Sequence, residues 1–296
     1  MDTLTTKFGD QIKRALSLTK VSTTITEHNV YQEGQDDILP ILDEMVEALI
    51  LPGSGIDGME NLNELFAKAE AGKSCLLLLE HYSNLDLSIF HYLVRRAGGC
   101  GEGIGKALTA IAGMKLNEDN PVVAAFASAY TRIVICPSRS LQVLDAEKDR
   151  AEIIRLNSIN RAALKALNDL KVKGKIVLVF PSGTRYRAWD PSTKKGVREI
   201  DSYIRIFDYM CCVAINGQLL HVQQTDMMND IVSNDFIRVT AGPVHSCAEF
   251  RDKARAAAEA NGIEDKKQAA VDAIMAELEA LHITAEEKRQ MLLKRD

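Results

Sequence analysis

Apolar positions along the 296-residue chain follow two rhythms. Short, mostly apolar, strand-like runs stand at 75–79 (CLLLL), 132–136 (RIVIC), 176–180 (IVLVF), 211–215 (CCVAI) and 236–240 (FIRVT). Each is too short to span a bilayer and has the length of a buried strand. Elsewhere apolar residues return at steps of three and four, as in Ile38, Ile41, Leu42, Met45, Val46 and Leu49, or Ile153, Leu156, Ile159, Ala163, Leu167 and Leu170. That spacing predicts helices over 38–49 and 141–170, over 61–71 and 121–130, and again from 248 onward, where Val271, Ile274 and Leu278 share one face. Strands alternating with helices predict an α/β fold: a mixed, largely parallel central sheet flanked by helices. The turn Pro52-Gly53-Ser54-Gly55 divides the chain into a small N-terminal helical portion, residues 1–60, and an α/β domain, residues 61–296.

The most informative stretch is 74–99, SCLLLLEHYSNLDLSIFHYLVRRAGG. Its apolar run ends at Leu79, Ser83 and Asn84 are good helix starters, and Leu85, Ile89, Phe90 and Leu93 recur at helical spacing before Gly98-Gly99 stops the helix. The reading is strand, tight turn, helix, with His81 at the carboxyl end of the strand and Asp86 in the first turn of the helix. Ligands of open α/β sheets bind at that edge. The glycine-rich GGCGEGIG at 98–105 follows a helix rather than a strand, so it is read as a loop and not as a phosphate cradle.

Composition narrows the function. Hydrophobic residues make up 46% of the chain, enough for a sizeable core, and the formal net charge of -5 argues against nucleic acid as a partner. The N-terminal MDTLTTKFGDQIKR lacks the apolar core of a signal peptide, and a cytoplasmic protein is expected. Six cysteines form no CxxC pair, and four lie in strand-like runs, which suits small buried residues in a reducing compartment better than disulfides or zinc.

Against the acidic whole, residues 161–198 carry ten Lys or Arg and two acids. Within them PSGTRYR follows the strand at 176–180 and sets Arg185 and Arg187 two apart. In extended backbone both guanidiniums project to one side, where two planar forks suit a phosphate or carboxylate. Arg139, just beyond the strand at 132–136, is a third cation at a strand end. These groups meet His81 only if their strands are parallel and close in the sheet. A second His-x4-Asp pair, His221 and Asp226, lies in polar LLHVQQTDMMND with no helix start and is read as structural.

His81-x4-Asp86, followed about a hundred residues later by Phe180-Pro181-Ser182-Gly183-Thr184-Arg185, resembles the glycerolipid acyltransferases. Within that family TRIVICPSRS (131–140) and PSGTRYR (181–187) are most similar to the soluble, plastid-type glycerol-3-phosphate acyltransferases. The resemblance spans roughly residues 75–220. It implies an α/β domain behind an N-terminal helical portion, and an enzyme peripheral to the inner face of a membrane whose surface it meets transiently. His81 would deprotonate the glycerol hydroxyl and Asp86 would hold it. Arg139, Arg185 and Arg187, with Ser182 and Gly183 of the same loop, would bind glycerol 3-phosphate. The acyl group would arrive on acyl-CoA or acyl-carrier protein as a co-substrate, with no resident cofactor and no metal. The chain departs from the pattern at Glu80, where Asn is common, at Thr184 and Tyr186, where a second Gly and an Asp are usual, and at Ser182, where lysophosphatidate enzymes carry Glu. Three rival readings are lysophosphatidate as acceptor, a non-catalytic phospholipid-binding protein, and a serine hydrolase. The last lacks the GxSxG elbow around Ser182.

Overall fold

The computed structural model describes residues 2–20, 24–118, 120–225 and 227–294. Residues 2–57 carry α1 (Leu4–Leu18), β1 (Tyr31–Gln32), α2 (Leu39–Glu47) and β2 (Gly55–Asp57). Next, α3 (Met59–Glu70) leads into β3 (Cys75–Leu79), which is followed by α4 (Asp86–Arg96), α5 (Gly101–Ala107) and β4 (Leu108–Gly113). Short α6 (Lys115–Glu118) and α7 (Pro121–Ala127) precede β5 (Arg132–Ile135), and α8 (Ser138–Gln142) and α9 (Arg150–Leu170) separate it from β6 (Ile176–Val179). The chain ends with α10 (Ile200–Ile206), β7 (Tyr209–Asn216), β8 (Leu220–His221), β9 (Ile231–Val232), β10 (Arg238–Ser246), α11 (Cys247–Ala260) and α12 (Lys266–Leu293).

Eight strands form one sheet in the order β1-β5-β4-β6-β3-β7-β10-β2, and β8 and β9 form a separate hairpin. The five strands from β5 to β7 are mutually parallel, while β1 pairs antiparallel with β5 and β10 antiparallel with β7. Helices cover both faces, as buried parallel strands require. Strand alternation sorts the core: Cys75, Leu77 and Leu79 of β3 pack with α1 to α5 and α7, and Leu76 and Leu78 pack with α9 to α12. Each of these leucines is fully buried, worth about 1.5–3 kcal/mol of transfer free energy apiece. No helix among the described residues is long and apolar enough to cross a membrane.

Three local readings are corrected. The helical tract expected over 141–170 is interrupted between α8 and α9, where the Asp145 carboxylate accepts the N–H groups of Glu147 and Lys148 and turns the chain. The glycine-rich segment at 98–105 is a loop only at its start. Its second half is α5, in which glycine permits contact: a Cβ on Gly101 would lie 2.0 Å from the Val94 carbonyl oxygen of α4. The strand expected at 236–240 begins at Arg238 and runs on to Ser246, past an irregularity between Ala241 and Val244. Residues 1–60 are also woven into the whole. Strands β1 and β2 lie at the two borders of the sheet, and Leu4, Phe8, Ile41 and Met45 share a core cluster with α4.

Candidate active site

Three cation- or imidazole-bearing segments expected at one sheet edge do share it. Strands β5, β6 and β3 are parallel, with β6 beside β3 and β4 between β6 and β5, so His81, Arg139 and the 181–187 loop all follow carboxyl ends. A direct hydrogen bond links two of them: Arg139 Nη2 donates to the Gly183 carbonyl at 3.1 Å. The backbone of His81 anchors the loop as well, its carbonyl accepting from the Tyr186 N–H at 2.8 Å.

The imidazole is held from two sides. His81 Nδ1 lies 2.9 Å from Asp86 Oδ2, and the ring stacks on Phe180 with centroids 4.0 Å apart and planes at 21°. The Asp86 carboxylate is buried and also accepts from the N–H of Tyr82 (2.5 Å), the N–H of Ser83 (2.8 Å) and the Ser83 hydroxyl (2.8 Å). It stands in the first turn of α4, where the helix dipole favours an anion. A carboxylate so surrounded is fixed before any substrate arrives. It selects the tautomer with hydrogen on Nδ1 and leaves Nε2 as the acceptor. Among the described residues Nε2 has no hydrogen-bond partner.

His81 lines a cavity of about 100 Å³ on the face of the sheet that carries α4 and α7. Its walls are largely apolar, from Leu87, Ala110, Ala112, Val123 and Phe126, with Ser83, Asn84, Ser88 and Arg132 as polar exceptions.

The arginines divide by partner. Arg185 Nη1 is 3.1 Å from Asp230 Oδ2, and that carboxylate is fully buried. Arg139 is exposed, and the Arg187 guanidinium makes no hydrogen bond or ion pair with any described residue, although its N–H donates to Thr193 Oγ1 at 2.9 Å. An incoming anion would thus find Arg139 and Arg187 less committed than Arg185. Ser182 is buried and its hydroxyl donates to the Thr184 carbonyl at 2.7 Å; no hydrogen bond joins it to His81. Gly183 adopts φ +62°, which favours glycine, and donates its N–H to the Phe180 carbonyl at 2.9 Å. The turn therefore spends the Gly183 N–H on its own closure.

Sequence reasoning missed a second cluster behind the first. Glu80 points to the opposite face from His81 and is buried. Its Oε2 accepts from the Ile215 N–H (3.0 Å) and lies 2.8 Å from His282 Nδ1 of α12, and its Oε1 accepts from the Tyr82 hydroxyl (3.1 Å). Burial opposes charge on His282, yet the hydrogen bond and charge of Glu80 raise its pKa above the ordinary value. The only signal in the sequence was a carboxylate directly after an apolar run. Arg132 was missed in the same way, as a lone cation heading a strand. His221 ends β8 and its Nε2 lies 2.7 Å from the Ser233 hydroxyl, while Asp226 lies outside the described residues. Five of the six cysteines are buried and all are free thiols. Burial pushes Cys75 up to about 12, which suits packing and not nucleophilic attack.

No protein-family model matches the chain, and no curated protein matches its sequence. The likeness to glycerolipid acyltransferases thus rests on the sequence motifs quoted for it alone.

Proposed function

We propose that the protein is an acyltransferase that moves an acyl group from a thioester, on acyl-CoA or acyl-carrier protein, to the hydroxyl of glycerol 3-phosphate. One observation carries the reading: an imidazole fixed by a buried carboxylate through Nδ1, its Nε2 unpartnered, borders an apolar cavity on one side and, on the other, the 181–187 loop that bears Arg187 and accepts a hydrogen bond from Arg139 of α8. A glycerol hydroxyl is too weak an acid to attack a thioester unaided. Nε2 takes its proton while the oxygen attacks the thioester carbon, and Asp86 steadies the imidazolium that results. The tetrahedral intermediate collapses, the carbon–sulfur bond breaks, and the thiolate recovers the proton from Nε2. Base catalysis of this kind contributes about 10²–10⁴-fold. The cavity suits the acyl chain, and the arginines suit the phosphate of the acceptor. Because the alcohol attacks directly, no enzyme nucleophile is needed, which fits a Ser182 hydroxyl bonded within its own loop. Brief contact with a membrane surface, where an acylated product would leave, belongs to the same proposal.

The test is an assay of purified protein with acyl-CoA and acyl-carrier protein against labelled glycerol 3-phosphate, with lysophosphatidate as the second acceptor. Acylation of glycerol 3-phosphate that His81→Ala abolishes is expected. Transfer to lysophosphatidate alone would replace the acceptor, and transfer to neither would end the reading.

A further inference from the structure

The wall of the cavity beside His81 contains a charge with nothing to balance it. Arg132 heads β5 and is 1% exposed. Its Nη1 donates to the carbonyls of Ala127 (2.6 Å) and Tyr130 (3.4 Å) near the end of α7, a common service of a basic residue to a helix C-terminus. The other side of the guanidinium has no such use. Neither Nε nor Nη2 has a hydrogen-bond partner, and no carboxylate among the described residues forms an ion pair with Arg132. Three N–H groups of a buried cation are therefore unmet, in a fold where buried Arg289 and half-buried Arg185 both have carboxylates. Burial is the sole influence on its pKa and draws it down to about 10, so the group is still charged at neutral pH. A buried, unpaired guanidinium is costly unless something else supplies the anion.

The strand register says how far from the imidazole that anion would bind. Leu77, Leu178, Ala110 and Arg132 stand in one row across the parallel strands β3, β6, β4 and β5. His81 comes four residues after Leu77 in the chain. Arg132 thus lies about 14 Å across the strands and about 13 Å along them from His81, measured at the backbone. Between the two, Ala110 and Ala112 leave room over the sheet, and Leu87, Val123 and Phe126 line it with hydrocarbon. A three-carbon phosphate whose hydroxyl sits at His81 is too short to reach Arg132, and an apolar wall does not suit it. A longer carbon chain with its thioester end at His81 would run inward along this hydrocarbon toward the guanidinium.

Resting on the acyl-transfer reading, we propose that the acyl group this site accepts ends in a carboxylate: the donor is a monothioester of a dicarboxylic acid, with Arg132 as the residue that recognises its distal end. Arg132 is a specificity-determining group and takes no part in the proton transfer. A long plain hydrocarbon chain would leave its N–H groups unmet and would be the poorer substrate for that reason.

Two measurements on the full chain test this. The first compares kcat/KM for suberoyl- and sebacoyl-CoA with octanoyl- and decanoyl-CoA, pairs matched in carbon number. The wild-type protein is expected to prefer the carboxyl-ended member by about ten- to a hundredfold, the range of a charge-assisted hydrogen bond. In Arg132→Met that ratio is expected to fall to about one. Equal or better turnover of the plain chains by the wild type overturns the inference, and this arm needs no variant to fold. The second follows Tm and needs no turnover: monomethyl suberate is expected to stabilise the wild type and not Arg132→Met, with methyl octanoate treating both alike. Stabilisation by monomethyl suberate with no transfer from any thioester ends the acyltransferase reading and keeps the carboxylate-binding end. Turnover without preference does the opposite.

Discussion

Glu80 and His81 are neighbours in sequence, and each forms an imidazole–carboxylate pair, yet the pairs lie on opposite faces of the sheet and differ in design. His81–Asp86 is local: its hydrogen bonds, from the Tyr82 N–H to the Ser83 hydroxyl, all come from residues 81–86, and the second ring nitrogen is left to the cavity. Glu80–His282 is long-range: the carboxylate ties β7 through Ile215 and α12 through His282, residues 135 and 202 positions away. The same two functional groups keep one nitrogen unspent in the first pair and form a fastener in the second, where the carboxylate bridges distant elements. Local supports can be rigid without help from the rest of the fold, whereas distant ones convert side-chain bonds into tertiary structure.

That contrast can be broken by exchanging the injuries. His81→Gln is expected to lower turnover by about 10²–10⁴-fold with Tm near that of the wild type, while His282→Gln lowers Tm and spares kcat. Both are read in one assay and one thermal melt. The carboxylates sharpen the same point. Asp86→Asn, which reverses the hydrogen-bond sense at Nδ1, should cut kcat by up to about 10⁴-fold. Glu80→Gln should instead cost about 1–3 kcal/mol in chemical denaturation, because the Ile215 N–H and His282 lose a charged acceptor. A Glu80→Gln protein as stable as the wild type but catalytically dead would merge the two pairs into one machine.

Stability should also depend on pH through two further histidines. His282 has a raised pKa in the folded state, so the stability its pairing contributes is present in full below pH 6.5 and fades as pH rises through the folded value. The denaturation free energies of wild type and His282→Gln should therefore converge toward alkaline pH. His91 of α4 behaves in the opposite sense. Burial, aided by the nearby Arg95, lowers its pKa to about 4, so protonation favours the unfolded chain and stability falls as pH drops below 6.5. By pH 4 the loss is roughly 3 kcal/mol. His91→Gln, which keeps an acceptor for Arg95 Nε, should flatten the acid limb.

What was legible in the sequence was whatever the chain settles over short distances. Strand β3, the turn and α4 could be placed because CLLLL, the Ser83-Asn84 start and the Leu85-Ile89-Phe90-Leu93 stripe occupy consecutive positions. The His81–Asp86 contact is a property of that turn. Strand β4 was not foreseen: LTAIAG is built largely of small residues and entered directly from α5, with no turn signal between them. Yet it stands between β5 and β6 and so decides how far Arg139 is from His81. Strands β1 and β2, two and three residues long, are made by their neighbours in the sheet and not by their own composition. Asp230, which occupies Arg185, and His282, which occupies Glu80, are unreadable for a related reason: 45 and 202 positions separate the partners, and nothing in the intervening pattern names them.

The hydrogen bond from the Tyr186 N–H to the His81 carbonyl, with the turn closed by Gly183 on Phe180, makes the arginine-bearing loop and the imidazole parts of one rigid frame. An anion seated on that loop is positioned relative to the ring by main-chain atoms alone. In the proposed acyl transfer, side chains at 184, 186 and 187 could then diversify, changing which phosphate is welcomed, without disturbing the direction in which the proton would travel.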